Sequence, residues 1–278
     1  MNNVPPLPRF EGRGIVTSAG GRYLPSVYVG IRSLRHFGCE LPIQLWYLGA
    51  EELPPPFVPI LAKYGVECID SFKVREQHPF PNLGGWQNKI FSILHSTFEE
   101  VLFFDADNFA LANPDFLFEL PQYLACNNLF WPDFLPSGDE KWIIKPYAWE
   151  FLGLQPRTGA ELESGQLVVN KSQCWEALSL ARHMNERADF YYERCTYGDK
   201  DTFTLAWAVL GKPMEVIAQR PKLVPPGIRL QHSPDGSMLF QHSRKWQMPP
   251  FENRFVRNYL MEDEALAWLE ELEAELPR

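Results

Sequence analysis

Short apolar runs alternate with helical patterns along the first hundred residues. Residues 14–19 (GIVTSA), 42–48 and 66–70 are rich in β-branched and aromatic side chains, which is typical of strands. A helical pattern over 25–36 follows the first strand, and a short helix that ends at Tyr64 follows the second. This alternation of strand and helix predicts a mainly parallel sheet with helices packed on its faces.

The pattern continues more loosely in the rest of the chain. Apolar positions from Trp86 to Leu94 recur at helical spacing, which predicts a helix over 85–97 and a strand from Val101. The remaining predictions are strands at 129–133, 165–170, 214–218 and 238–242, an irregular stretch at 135–155, and helices at 171–192, 201–210 and 261–276. No repeat or linker divides the chain. We therefore predict a flexible, Pro-rich N-terminus (1–13) and one α/β domain (14–278) that ends in an acidic amphipathic helix.

Composition narrows the class of protein. The 278 residues are 45% hydrophobic and carry a net charge of −9, which disfavours binding to nucleic acid. No run of about 18 apolar residues predicts a membrane helix. The five cysteines are scattered, as expected in a reducing compartment. Aromatic residues reach 14%; a large core is the first interpretation, and a surface that stacks on flat rings or sugar faces is the alternative.

Two aspartates follow the apolar run at residues 101–104. Because Asp105 and Asp107 come at the carboxyl end of a predicted parallel strand, they lie where such sheets bind ligands. Two carboxylates at this spacing suit a divalent cation that also binds a diphosphate. The alternatives are a helix or turn cap, a nucleotidyltransferase, and a phosphatase with Asp105 as nucleophile. Phe109 stands where such phosphatases usually have Thr or Val.

Other polar residues allow two interpretations each. His242 follows a predicted late strand and could be a packed histidine or a third ligand that suits Mn²⁺. Lys245 offers a point charge for a phosphate. Asp199 and Asp201 could cap the helix that follows, and Glu163 could lie in a surface turn. Alternatively, all three carboxylates face a sugar.

Several longer blocks carry a family resemblance. They are GIVTSAGGRYLPSVYVGIRSLRHFGCELPIQLWYLG at 14–49, WQNKIFSILHSTFEEVLFFDADNFAL at 86–111, ESGQLVVNKSQCWEAL at 163–178, MNERADFYYERCTYGDKDTFTLAW at 184–207 and FQHSRKW at 240–246. Together and in this order they resemble the fungal Golgi α-mannosyltransferases of glycosyltransferase family 71. A more distant similarity extends to glycogenin and to bacterial α-galactosyltransferases of lipooligosaccharide synthesis.

The resemblance implies a fold and a set of site residues. It implies a GT-A fold, which is a single Rossmann-like α/β domain with a mixed, mainly parallel sheet flanked by helices. It assigns a metal, Mn²⁺ with Mg²⁺ as the alternative, to Asp105, Asp107 and His242. It assigns donor binding to Thr17, Ala19, Tyr23, Lys89, Asp105, Ala106, Asp107 and Lys245. It places the catalytic carboxylates Glu163, Asp199 and Asp201 around the transferred sugar or the acceptor.

The resemblance also implies a reaction. The expected enzyme is a metal-dependent retaining transferase that moves mannose from GDP-mannose onto a glycan or glycoconjugate acceptor. A UDP-hexose donor, a phosphatase of the Asp-x-Asp type and an inactive sugar-nucleotide-binding module are the alternatives. The fungal enzymes carry an N-terminal membrane anchor and stem that this sequence does not show. We therefore expect a cytoplasmic protein, with peripheral membrane association left open.

Overall fold

A computed structural model describes residues 7–134, 144–156, 161–225, 227–242 and 260–277. Its strands are β1 (Arg13–Ser18), β2 (Ile43–Tyr47), β3 (Val66–Asp70), β4 (Glu100–Phe104), β5 (Asn108–Ala110), β6 (Asn128–Pro132), β7 (Leu162–Asn170), β8 (Lys222–Val224), β9 (Ile228–His232) and β10 (Met238–His242). Its α-helices are α1 (Leu24–His36), α2 (Phe57–Ala62), α3 (Ser71–Gln77), α4 (Gln87–His95), α5 (Pro121–Cys126), α6 (Pro146–Phe151), α7 (Lys171–Glu186), α8 (Ala188–Arg194), α9 (Lys200–Val209) and α10 (Glu262–Glu275).

The larger sheet has the strand order β3-β2-β1-β4-β7-β6. The first four strands in that order run parallel to one another. Strand β7 runs antiparallel to both of its neighbours, β4 and β6. The prediction of a mixed, mainly parallel sheet flanked by helices is therefore confirmed.

Both faces of the larger sheet are buried beneath helices. Ile15 and Leu102 pack in an apolar cluster with residues of α1, α2 and α10. Their neighbours Val16 and Phe103 pack on the other face with residues of α4, α7 and α9. Successive side chains of a strand point to opposite faces, so a sheet covered on both sides needs apolar residues at consecutive positions. This requirement explains the unbroken apolar runs in the sequence.

A smaller antiparallel sheet brings a late part of the chain to the end of β4. Its strand order is β5-β10-β9-β8, and β5 follows Asp107 directly. In the pairing of β5 with β10, His242 lies opposite Asn108. The register of this one strand pair therefore sets His242 beside the two aspartates, although 135 residues separate His242 from Asp107.

Several predicted elements differ from those observed. The strand predicted at 214–218 is reduced to one bridge between Val216 and Phe130, the residue after which the register between β6 and β7 shifts. The helix predicted at 171–192 is two helices, α7 and α8, since the backbone leaves the helical conformation at Arg187. Part of the stretch predicted as irregular forms α6. Strands β5, β8 and β9 were not predicted. Strands β5 and β8 have three residues each and are too short to show alternation, whereas β9 (IRLQH) does alternate apolar and polar residues and was missed.

The acidic helix predicted at the end of the chain is α10. Its Trp268, Leu269 and Leu272 are buried against the core that includes α1, and Glu271 forms an ion pair with Arg32 of α1. Near the other terminus, Phe10 packs against the aromatic ring of Trp175. The division into an N-terminal segment and one domain stays a prediction. No helix in the described ranges is long and apolar enough to cross a membrane.

Candidate functional site

A cavity of about 570 Å³ lies at the edge of the larger sheet where β1, β2, β4 and β6 end. Strand β7 runs in the opposite direction, so it begins at this edge. The carboxyl ends of parallel strands are the usual ligand-binding edge of an open α/β sheet. Side chains from the end of β4 and the beginning of β7 therefore line the same cavity, among them Asp105, Asp107 and Glu163.

Asp105, Asp107 and His242 form a cluster with the chemistry of a metal site. One ligand atom from each residue lies within 4.8 Å of the other two. The imidazole Nε2 of His242 is 3.1 Å from Oδ1 of Asp107. Two carboxylates and one imidazole are a donor set that suits Mn²⁺, and carboxylates also bind Mg²⁺. The three residues thus fit a divalent cation of this kind.

Lys89 links the metal cluster to a further carboxylate, that of Asp199. Its Nζ donates to the carbonyl and hydroxyl oxygens of Ser164, both at 2.8 Å. The same nitrogen lies 3.2 Å from Oδ2 of Asp105 and 3.2 Å from Oδ2 of Asp199. Burial opposes the charged form of Lys89, but the carboxylates of Asp105, Asp199 and Glu163 outweigh burial and raise its pKa. A fixed positive charge therefore lies beside the metal cluster.

Burial and neighbouring charges shift the pKa values of Asp105, His242 and Glu163 in different directions. Burial raises the pKa of Asp105 to about 6, with Asp107 adding to the rise and Lys89 opposing it. Burial opposes the charged form of His242 as well, yet the carboxylates of Glu163 and Asp107 raise the pKa of that imidazole. In return His242 keeps the pKa of Glu163 below its usual range against the effect of burial. The cavity is thus a dense set of mutually dependent charges.

Whereas Asp107 lies beside Nε2 of the His242 imidazole, Glu163 lies beside Nδ1. Its Oε1 accepts hydrogen bonds from the backbone N–H groups of Ser164 and Gly165, both at 2.9 Å. Its Oε2 lies 3.5 Å from Nδ1 of His242. A Cβ atom at position 165 would lie 2.5 Å from the same Nδ1, so only glycine leaves room for the imidazole. Glu163 thus forms an ion pair with the second nitrogen of the imidazole, and a carboxylate at this position is suited to orient a metal-binding histidine.

A second ionic cluster on the cavity wall was not predicted from the sequence. Lys200 Nζ lies 2.9 Å from Oδ2 of Asp133, and Arg229 Nε lies 3.9 Å from both Asp133 and Glu163. Asp133 follows β6 at the same edge where Asp105 follows β4, and that position was the available signal. Arg229 lies in β9, whose alternation of apolar and polar residues (IRLQH) was a signal for a strand but not for the place of that strand beside the cavity.

The predicted donor-binding residues are distributed unevenly. Ala19, Tyr23, Lys89 and Ala106 line the cavity together with the two aspartates. Thr17 does not line it, although its neighbour Ser18 does. Successive residues of a strand point to opposite faces, and the side chain of Thr17 is buried within the sheet. Lys245 lies outside the described residues.

The predicted catalytic carboxylates also separate. Glu163 and Asp199 line the cavity, whereas Asp201 does not. Asp201 is fully buried and its Oδ2 accepts a hydrogen bond from the backbone N–H of Tyr197. Burial raises the pKa of Asp201 to about 7, although the charge of Lys200 opposes this. Asp201 therefore contacts the turn before α9, and Asp199 is the carboxylate of this turn that reaches the cavity.

Comparison with solved structures identifies the fold. An active-site mutant of LgtC aligns over 95% of this chain and all of its own, with a TM-score of 0.57 and 13% identity. The galactosyltransferase LgtC in complex with donor and acceptor sugar analogues aligns over 76% of both chains, with a TM-score of 0.50 and 15% identity. These likenesses show a GT-A fold; at such identity they do not extend to function.

Sequence comparison gives related proteins of known name. The alpha-1,2-mannosyltransferase MNN2 of Candida albicans is 28% identical over 247 residues, covering 72% of this chain and 41% of the relative. The alpha-1,2-mannosyltransferase MNN5 of Saccharomyces cerevisiae is 27% identical over 261 residues, covering 73% and 44%. The chain thus spans less than half the length of these curated relatives.

A family profile provides the assignment. The profile described as "Mannosyltransferase putative" matches residues 12–146 and 150–229. The matched segments contain Lys89, both metal-site aspartates, Glu163 and Asp199, and they cover most of the chain. The chain belongs to this mannosyltransferase family.

Proposed function

We propose that the chain is a metal-dependent retaining glycosyltransferase that moves mannose from GDP-mannose onto a glycan acceptor. The observation that carries the proposal is the convergence of Asp105, Asp107 and His242 with Lys89 in one cavity. Transfer from a nucleoside diphosphate sugar needs a divalent cation and further positive charge near the leaving diphosphate, and room for a base. The names of the relatives support mannose as the transferred sugar.

The diphosphate would bind where the metal cluster lies. Asp105, Asp107 and His242 would hold a Mn²⁺ or Mg²⁺ ion, which when bound neutralises the charge of the leaving diphosphate. The base would lie toward the ends of β1 and β2, where Ala19 and Tyr23 line the cavity. Asn88 donates to the Ser18 hydroxyl at 2.7 Å and fixes α4 against that end.

The transferred sugar would lie in the cavity against Lys89 and the carboxylates of Glu163 and Asp199. Glu163 accepts from two backbone N–H groups, and Asp199 forms an ion pair with Lys89, so both carboxylates are held by other groups. They are suited to stabilise positive charge at the anomeric carbon rather than to attack it. The acceptor hydroxyl would attack from the face that the diphosphate leaves, and a phosphate oxygen would take its proton.

A panel of nucleotide sugars tests the function directly. GDP-mannose, UDP-glucose and UDP-galactose are added with Mn²⁺, and thermal stabilisation and slow donor hydrolysis are measured. We expect stabilisation and hydrolysis with GDP-mannose that EDTA removes. Indifference to all three donors would contradict the transferase, and preference for a UDP-sugar would replace the donor only. Release of phosphate from simple phosphomonoesters would favour a phosphatase instead.

Asp107→Asn tests the metal cluster. The substitution keeps the shape of the side chain but removes its negative charge, so we expect Mn²⁺-dependent donor affinity to fall by about 100-fold or more. The measurement is calorimetric titration of donor with and without Mn²⁺. Asp263→Asn, at an exposed position of α10, is the matched control and should leave affinity unchanged. Unchanged affinity in Asp107→Asn would remove this residue from the donor site.

A further inference from the structure

Two exposed aromatic side chains stand at the mouth of the cavity. Trp86 is 54% exposed and Tyr197 is 43% exposed, and both line the cavity. Their ring centroids are 6.2 Å apart. The other tryptophans in the described ranges are buried. An exposed aromatic patch on the rim of a cavity is typical of a binding surface rather than of a core.

The aromatic pair and a buried ion pair come from the same two segments. Trp86 precedes α4 by one residue, and Lys89 lies one helical turn later, so both are on one side of α4. On the same wall, Tyr197 and Asp199 lie two residues apart in the turn before α9. Lys89 and Asp199 meet at 3.2 Å and are buried. The wall therefore has an ionic inner level and an aromatic outer level.

Close packing holds the indole ring at the mouth. A Cβ atom on Gly198 would lie 3.3 Å from the Trp86 ring, so the ring rests against the backbone of this glycine. Tyr192 of α8 supports it with a centroid distance of 5.9 Å. The exposed indole is thus positioned by three separate contacts, including that with Tyr197. A side chain that only filled space in the core would be buried, whereas these contacts position a ring that remains exposed to solvent.

We propose that Trp86 and Tyr197 form the acceptor subsite, on which a pyranose ring of a mannoside acceptor stacks. The inference rests on the proposed transferase function and adds the place where the acceptor binds. One face of a pyranose carries polarised C–H groups, and aromatic rings present a negative face to them. A sugar stacked at the outer level would lie next to the inner level, where the transferred sugar would contact Lys89 and Asp199.

The nucleobase is the other flat group that could stack on this pair, since bases also bind aromatic side chains. Two observations favour the acceptor. The aromatic pair shares its wall with Lys89 and Asp199, where the transferred sugar would lie. The end of the cavity formed by β1 already has an aromatic ring of its own, that of Tyr23.

Truncation of each ring separates acceptor binding from donor binding. Trp86→Ala and Tyr197→Ala are assayed for GDP-mannose hydrolysis without acceptor and for transfer to methyl α-D-mannopyranoside and α-linked mannobiose. We expect the acceptor KM to rise about 10-fold or more while the donor KM changes less than about threefold. Trp86→Phe, which keeps an aromatic face, should recover most of the acceptor affinity. Phe116→Ala removes a ring of similar exposure near the opposite edge of the sheet and is the control.

The outcomes are distinct. An unchanged acceptor KM in both alanine variants would overturn the subsite, and an equal rise in donor KM would assign the rings to the nucleobase. If the parent chain hydrolyses GDP-mannose but transfers to neither mannoside, the proposed acceptor class is wrong while the transferase stands. If the parent chain binds no nucleotide sugar at all, the proposed function fails first. Circular dichroism of each variant establishes that the fold is retained.

Discussion

Lys89 and Lys171 are both buried against α4, at opposite ends of this helix. Lys89 lies in the first turn of α4 and contacts Asp105 and Asp199 in the cavity. Lys171, the first residue of α7, lies beyond the other end and donates to the carbonyl oxygen of Ser96 at 2.6 Å and to its hydroxyl at 3.1 Å. The two lysines thus differ in partner: one meets carboxylates, the other mainly backbone oxygens.

The difference in partner reverses the effect of burial on the pKa. Carboxylates around Lys89 outweigh burial and raise its pKa. Around Lys171 burial dominates and lowers its pKa to about 6, with the charge of Glu99 opposing this only in part. A buried lysine whose charge is stabilised by carboxylates is suited to an active site. A buried lysine that donates to neutral oxygen atoms is suited to capping the end of a helix.

The helix dipole sharpens the contrast. Positive side chains are disfavoured in the first turn of a helix, where Lys89 lies. The last carbonyl groups of a helix need donors, and Lys171 supplies one. A residue that breaks a local preference inside a cavity, with compensating carboxylates around it, indicates function. Lys171 also lies in the first turn of a helix, α7, but its partners are the neutral oxygen atoms at the end of α4, which indicates a structural role.

The largest expected effect comes from Lys89→Met. Removing the charge leaves Asp105 and Asp199 without their shared cation and disturbs the metal cluster that would bind the leaving diphosphate, so we expect kcat/KM for transfer to fall about 100-fold or more. Lys171→Met is the matched control, with an expected change below about threefold. Equal losses in the two variants, accompanied by equal losses of folded protein, would show that Lys89 is structural as well.

The second effect concerns stability and pH. Because the pKa of Lys171 is about 6 in the folded chain and about 10.4 when unfolded, the unfolded state binds more protons between these values. The free energy of unfolding of the parent should therefore rise, relative to Lys171→Met, by up to about 1.4 kcal/mol per pH unit above pH 6. Urea unfolding of both proteins at pH 7, 8 and 9 measures this. A constant difference would mean that Lys171 stays charged in the folded state.

The smallest effect is expected at Asn88, which fixes the active end of α4. Its Nδ2 donates to the Ser18 hydroxyl at 2.7 Å and to the Trp46 carbonyl at 3.3 Å. Asn88→Ala should lower the free energy of unfolding by about 1–2 kcal/mol and raise the donor KM a few-fold. Asn113→Ala removes an exposed bond to Gly38 and one from the Asp115 N–H, and because Asn113 does not line the cavity it should lower the free energy of unfolding by about 1 kcal/mol without changing the donor KM. Loss of stability with an unaffected donor KM would separate Asn88 from the site.

Local signals predicted much of the sheet and part of the cavity. The apolar run before Asp105 predicted a strand end, and the resemblance pointed to Lys89, Glu163 and Asp199, all of which line the cavity. Thr17 and Asp201 came from the same resemblance and do not line it. Each is one or two residues from a position that does, and a family block does not specify side-chain direction at that precision.

The second ionic cluster shows a different limit. Asp133, Lys200 and Arg229 come from three separate parts of the chain, the end of β6, α9 and β9. Their meeting depends on the register shift between β6 and β7 and on the path of β8 and β9. Long-range pairings of this kind have no periodic signal, since the contact is set by strand register rather than by neighbours in the chain.

By itself the sequence determined the alternating α/β pattern, the two aspartates at a strand end and the family resemblance, because these depend on neighbouring residues. Only the tertiary structure decided that β7 runs antiparallel and so places Glu163 behind His242, and that β10 pairs with β5 and so places His242 beside Asp107. It also decided that Trp86 and Tyr197 meet at the cavity mouth. Strand order and direction bring together residues that lie far apart in the chain. Patterns among neighbouring residues do not specify that order or direction.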